Sequence, residues 1–353
     1  MWAMIVKEFR QLRRDRRTLA MMIAMPVLLL VVLGYAATFD VSSIAVAVAG
    51  PRAGVAAAAL PRPFDVVAAD AAQGRAWAQD QLRDGRAVVA VVTGGARPVV
   101  LIDGTQLFAA RAALTALASR AGRPGVPASG ATPAAPVVDV LYNPQLKTSD
   151  IMIPGLAGVV LVFIGTIITS LGVVRERQSG TLEQLAVMPL RPRDVFLGKI
   201  VPYFVVAAAD LVIVLVVGVA IFRVPFRGSL PVFGLGALLF LFVTLGIGVL
   251  ISSISQNQGQ AIQLAVMTLL PQVLLSGLIF PLSSIAAGVR WIAYLLPLTY
   301  FNEISRGVML RAEPIGALWQ PFVFLTVLGA VMVTLASLRF RRYLAPARAR
   351  SAA

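Results

Sequence analysis

Residues 173–199 read VVRERQSGTLEQLAVMPLRPRDVFLGK, between an apolar run at 151–172 and a second that begins near 196. Each run is long enough to cross about 30 Å of hydrocarbon at roughly 1.5 Å per residue. The intervening stretch is charged at both ends and carries a short helix signal in its middle. Thr181-Leu182-Glu183-Gln184 has the form of a capping box, in which Thr181 accepts from the backbone N–H of Gln184 and Gln184 reaches back to that of Thr181. Gly180 frees the chain just before it. Leu182, Leu185 and Ala186 form an apolar face, and Pro189 limits continuation. Pro192 then suits the first turn of the following helix. A two-turn helix set across a loop between membrane runs suits a place where a soluble partner pushes on a membrane domain. The plainer alternative is a solvated loop whose mixed charges only set topology. The completed cap on so short a helix favours docking.

Composition agrees with a membrane domain. Of 353 residues, 58% are hydrophobic and only 13% charged, where a soluble domain carries about a quarter charged. Mean hydropathy is +0.85. The net charge of +15 does not point to nucleic acid, because Lys and Arg crowd beside the apolar runs without aromatic interleaving. Cysteine and histidine are absent, which excludes disulfides, Cys or His metal sites and histidine acid–base chemistry. Gly198-Lys199 lacks the upstream glycine and following Ser or Thr of a phosphate-binding loop, so energy is expected from another chain.

Six spans are expected, at 19–39, 151–174, 196–222, 230–252, 261–282 and 317–338. The first reads as an uncleaved anchor. Residues 1–18 alternate apolar and basic positions, which suits an interfacial helix or a plain basic flank. Residues 1–18, loop 175–199 and tail 339–353 together hold 16 of the 31 basic residues and fall on one side of a six-span chain. Both termini are therefore expected in the cytoplasm. Pro297 breaks the apolar stretch 291–310, so region 283–312 is expected to form re-entrant external helices rather than a seventh span. Residues 40–150 form an inserted extracytoplasmic α/β domain, with strands expected at 43–49, 87–92, 97–102 and 137–142 and helices at 70–84 and 105–120. Its acidic residues, Asp103 among them, are expected on solvated surface. The fold class is thus an all-α polytopic membrane domain of six spans, five of them in 151–338, with a small α/β insertion.

Three charged positions draw attention inside the bundle. Asp210 is the only acidic residue in an expected span. It could bind a cation or proton, or make an intramembrane polar contact, and the structural role is favoured. Glu303 and Arg306 lie three apart, which allows an ion pair on one helix face. They would form either an external gate or a structural pair.

The motif Arg175-Glu176-Arg177, Gly180-Thr181-Leu182-Glu183-Gln184-Leu185, Pro189-Leu190 and Gly198-Lys199 resembles that of type 2 ABC exporter permeases. So do Tyr142-Asn143-Pro144 before Ile153-Pro154-Gly155, and Leu275-Ser276-Gly277 with Phe280-Pro281, Trp291, Pro297-Leu298-Thr299-Tyr300 and Arg306-Gly307. More narrowly, the chain resembles the bacterial multidrug-type members with a large external domain after the first span. The resemblance implies a multi-pass protein of the bacterial cytoplasmic membrane that pairs with a second permease chain, the same or related. Two cytoplasmic ABC ATPase subunits would hold ATP and magnesium, leaving this chain without cofactor or catalytic residues. The ATPase would dock on the helix at 181–188, with Glu183 facing it and residues 175–177 and 180–185 as the coupling set. Some relatives add a periplasmic adaptor. Their cargo is drug-like, lipid or otherwise amphiphilic. The competing readings are a proton-coupled secondary transporter using Asp210 and, less favoured, a membrane sensor or scaffold.

Overall fold

The computed structural model describes residues 43–95, 97–121, 136–179 and 192–344. The expected interfacial helix 1–18, the first span 19–39, residues 180–191 of the coupling loop and the basic tail from 345 lie outside the described residues.

β1 (Ile44–Ala49) reads IAVAVA and is buried on both faces. It lies inside a five-stranded mixed sheet of order β2-β1-β3-β4-β5, with β2 at Phe64–Asp70, β3 at Val89–Val92, β4 at Val99–Asp103 and β5 at Val137–Leu141. β1 runs parallel to β2 and β3, β4 antiparallel to β3, and β5 parallel to β4. The two-residue period of β1 divides its side chains between two cores. Ile44, Val46 and Val48 pack with Val89, Val100 and Ile102. The covering elements on that face are α1 (Ala53–Ala58) and α3 (Leu107–Ala121). Ala47 and Ala49 meet Ala78 and Leu82 of α2 (Arg75–Arg83), where small side chains let the helix sit close. The result is a small three-layer α/β domain.

Two of its elements depart from expectation. β2 occupies 64–70, where no strand was expected, and α2 begins at Arg75 rather than Asp70. β2 is an edge strand of alternating buried and exposed residues, and its alanines carry little strand signal.

The helical part opens at α4 (Thr148–Val162), which continues through a π-turn at Phe163–Ile168 into α5 (Thr169–Gln178). α6 spans Pro192–Ala220, α7 Leu230–Ile254 and α8 Gln258–Leu275. Two short helices follow, α9 (Ala287–Ala293) and α10 (Pro297–Arg306), then a π-turn at Gly307–Arg311 and α11 (Trp319–Leu344). Pro297 opens α10, where its missing N–H costs no hydrogen bond. Among the described residues four helices are long and apolar enough to cross a membrane: Thr148–Arg175, Tyr203–Ala220, Leu230–Ile254 and Trp319–Ala336. The chain is therefore a multi-span helical bundle with a small α/β insertion. Its polypeptide path puts the ends of α5 and α11 and the turn at 255–257 at one end, and the α/β domain with α9 and α10 at the other.

α7 is the centre of the bundle. Phe240 stacks on Phe301 of α10 at 4.6 Å, and Phe233 meets the same ring edge-on at 6.0 Å. Lower down, Gly248 faces the π-turn so closely that a side-chain carbon there would run into the carbonyl oxygen of Gly165. In hydrocarbon, where water supplies no drive to join helices, such close approach is what favours their packing. The π-turn shifts carbonyls out of register, and hydroxyls take them up. Thr166 donates to Val162 O at 2.6 Å, Thr169 to Ile164 O at 3.3 Å and Ser170 to Ile167 O at 2.9 Å.

Gly248→Ala and Gly234→Ala should therefore differ in sign. The first overpacks the seam and is expected to cost about 1–3 kcal/mol. The second enters open space on the same helix and should gain up to about 1 kcal/mol of helix stability. Thermal unfolding of the two purified variants checks this.

Candidate functional site

Two groups of residues mark the two ends of the bundle. At the end away from the α/β domain, α5 finishes with Arg175, Glu176 and Arg177. Arg175 is exposed there. Gln258 at the start of α8 donates to Oε1 of Gln178 at 2.9 Å, fastening the two helix ends together. α8 is itself capped. The Asn257 side chain accepts from the Gln260 N–H, and the Gln260 side chain accepts from the Gln256 N–H, both at 2.9 Å. The uncharged polar turn 252–263 thus holds a reciprocal cap that its sequence already spelled. Gly180, Thr181, Leu182, Glu183, Gln184 and Leu185 lie outside the described residues, between this fastened end and the start of α6.

At the other end the α/β domain is locked onto the bundle. Asp103 closes β4 and is fully buried, against the solvated role expected for it. One carboxylate oxygen accepts from the backbone N–H and hydroxyl of Thr105, at 2.9 and 2.7 Å. The other accepts from Arg311 at 3.3 Å. Arg311 also meets Glu313 at 2.6 Å. The left-handed backbone of Ala312 turns the chain between these partners, and Arg83 of α2 donates to the Ala312 carbonyl at 2.7 Å. Gly85, also left-handed, lies beside the Arg311 guanidinium, where a side chain would crowd it. Burial and the neighbouring Asp103 carboxylate push the Tyr142 hydroxyl up to about 12. One cation thus serves two carboxylates in a dry place. Burial accordingly raises the Glu313 carboxyl to about 7, against the pull of Arg311 and assisted by Glu303 and Asp103. Sequence reading missed this lock because its partners are more than 200 residues apart. The local clue was an aspartate ending an apolar strand just before Gly104-Thr105.

Glu303 and Arg306 sit on α10 without forming an ion pair together. Arg306 donates instead to the carbonyls of Gly277 and Leu278, at 3.0 and 3.4 Å. Asn302 donates to the carbonyl and hydroxyl oxygens of Ser276, at 3.3 and 3.0 Å. Both side chains satisfy carbonyls of the chain just past α8, which ends at Leu275. The physical reason is competition: a buried carbonyl in fixed position outbids a flexible exposed carboxylate one turn away. Glu303 and Arg306 nevertheless line one cavity of about 740 Å³ together with Arg311, between α3, α4, α10 and α11. Asp210 lies on α6 and is half-buried. Among the described residues it makes no hydrogen bond, and no group of acidic residues could hold a metal.

These features define a polytopic membrane protein whose bundle is fastened at one end and capped by an inserted domain at the other. The chain belongs to the ABC-2 family of transporter proteins, whose family model matches residues 16–338. It is 33% identical over 206 residues to the probable multidrug ABC transporter permease YbhR of Escherichia coli K12, covering 58% of this chain and 56% of that one. It is 34% identical over 204 residues to the probable multidrug ABC transporter permease YbhS of the same organism, covering 58% and 54%. The inner membrane transport permease YhhJ of that strain is 31% identical over 205 residues, covering 57% and 54%. The matches thus span about half the length of these relatives.

Arg311→Met should expose the balance of the lock. It leaves two buried carboxylates without their cation, a loss expected to cost about 3–5 kcal/mol. The cost should shrink in acid as the carboxylates take up protons. Glu313→Gln should instead flatten a pH dependence. The folded chain holds this proton more tightly than a free carboxyl with its ordinary value of 4.5, so the contribution to stability is complete below 4.5 and is lost as pH rises through about 7. Melting of wild type and both variants between these limits checks the sign.

Proposed function

We propose that this chain is the permease subunit of an ATP-driven exporter. It would move drug-like, lipid or other amphiphilic cargo out of the cytoplasm or the inner leaflet of a bacterial inner membrane. ATP and magnesium would be held by two separate cytoplasmic ATPase subunits, and a second permease chain, the same or related, would complete the pore, with a periplasmic adaptor where the envelope requires one. The observation that carries the reading is the family match across residues 16–338. The fastened helix ends at Gln178 and Gln258, the first of which leads into the loop with the capping-box sequence, support it. A push on the helix at 181–188 would pass through α5 to the π-turn and through α6 to its far end. In this reading the chain has six spans with both termini in the cytoplasm, residues 40–150 outside and 283–312 re-entrant. The first span would join the four apolar helices, and α8 would supply the sixth crossing.

Arg175, Glu176, Arg177 and the segment Gly180–Leu185 form the proposed coupling set, with Glu183 presented to the ATPase. Glu183→Arg should abolish co-purification of the ATPase from native membranes, because loss of one partner of a hydrogen-bonded interfacial pair costs about 2–5 kcal/mol and here the charge is reversed. Undiminished co-purification would reject the docking role.

Asp210 is proposed as a contact in the assembly rather than a proton carrier. α6 is sparsely covered, with Val205, Val206, Val212, Ile213 and Val216 exposed, so its partner would come from the first span or a second chain. A carboxylate in hydrocarbon needs such a partner. Asp210→Asn keeps the hydrogen bonds and should support ATP-driven transport in vesicles whose proton gradient has been collapsed. Asp210→Leu should weaken assembly, read as a loss of the dimer in size-exclusion chromatography.

A further inference from the structure

The cavity at the domain lock has charges of both signs that nothing in the fold consumes. Glu303 is exposed and makes no ion pair among the described residues. Arg306, one turn along α10, spends Nη2 on two carbonyls but meets no carboxylate, and its Nε has no partner. Arg311 is already flanked by Asp103 and Glu313 and offers little further pull. Asn302, 3% exposed, also has an unpartnered Oδ1, which lies towards Gly155 of α4. Buried polar atoms left without partners are rare and call for a ligand or solvent to satisfy them. Much of the remaining lining is apolar and aromatic, with Tyr300 stacked on Phe324 at 5.0 Å. A volume near 740 Å³ suits one drug-sized molecule.

We propose that this cavity binds a zwitterionic amphiphile, with its cationic group against Glu303, its anionic group against Arg306 and its apolar chain along Leu282, Tyr294, Tyr300 and Phe324. A purely anionic amphiphile would meet the Glu303 carboxylate. A purely cationic one would leave Arg306 uncompensated. The first turns of α4 and α11 supply Ile151, Met152 and Phe324 to the wall, so the chain of the ligand faces the membrane helices and its head faces the α/β domain. The assignment of this ligand as cargo rests on the exporter reading; the binding site itself does not.

The test uses the full chain in amphipol, without nucleotide or ATPase, so that its failure is distinguishable from failure of ATPase association. Octylphosphocholine, octyltrimethylammonium and octyl phosphate share one chain and differ only in head charge. Equilibrium dialysis should show saturable binding, with the zwitterion tighter by roughly tenfold than either single-charge probe, as one added charge-assisted hydrogen bond gives. Glu303→Gln, at an exposed position, should erase the advantage over octyl phosphate while leaving the melting temperature unchanged. Equal binding of octylbetaine would support the site for zwitterionic amphiphiles at large. Preference for octylphosphocholine would support it for phospholipid headgroups. No saturable binding, preference for a single-charge probe, or an unchanged ranking in Glu303→Gln would overturn the proposal.

Discussion

Inside hydrocarbon a carbonyl or amide has no water to turn to, and that constraint governs how this bundle is built. At several places where the backbone leaves regular α-helix, a side chain arrives to meet it. Three hydroxyls serve the π-turn at 163–168. Asn302 and Arg306 serve the chain just past α8. Thr299 and Tyr300 reach back to the carbonyls of Ala293 and Tyr294, each at 2.6 Å, and hold the two short helices together. The domain lock follows the same logic with charge in place of dipole. Arg311 is tolerable in the interior because Asp103 and Glu313 receive it.

The family motifs gain a physical meaning from these contacts. Leu275-Ser276-Gly277 and Arg306-Gly307 are apart in sequence yet form one joint, because Arg306 binds the Gly277 carbonyl, while Thr299 and Tyr300 of the stretch Pro297-Leu298-Thr299-Tyr300 bind back to α9 and its end. Asn143 in Tyr142-Asn143-Pro144 is a second joint. Its side chain donates to Gly104 and Lys147 carbonyls at 3.3 and 3.0 Å and accepts from the Lys147 N–H at 2.9 Å. It thereby fixes the angle at which β5 hands the chain to α4.

What could be read beforehand follows the range of the interaction. The apolar run at 230–252 becomes a helix over Leu230–Ile254, and the break at Pro297 becomes a helix start, because both depend on neighbours in sequence. The cap at Asn257 is equally local, with Asn257 and Gln260 three apart as Thr181 and Gln184 are. The lock of Asp103 to Arg311 was not legible, since neither residue's surroundings name a partner 208 positions away. Glu303 and Arg306 show the reverse failure. Their spacing satisfies a rule for isolated helices, and a distant carbonyl at Gly277 overrides it. β2 escaped because its alanines and its proline-flanked start lack the β-branched density that marks β1.

The π-turn also sets a phase. A regular helix advances about 100° per residue, and a π-turn absorbs one extra residue without lengthening the path by a full step. The faces of α4 and α5 are therefore not one continuous stripe. The face that meets Phe301 and Leu298 through Gly158 is rotated out of step with the one that ends at Arg175. Removing a single residue between 163 and 168 would let the helix become regular with its two ends still aligned, whereas removing one from the regular part of α5 would turn its far end by about 100°. The far end of α5, where Gln178 meets Gln258, would no longer point at its neighbour. The π-turn is thus the one place in this helix where a residue of length is taken up without changing the angle between the two ends of the protein.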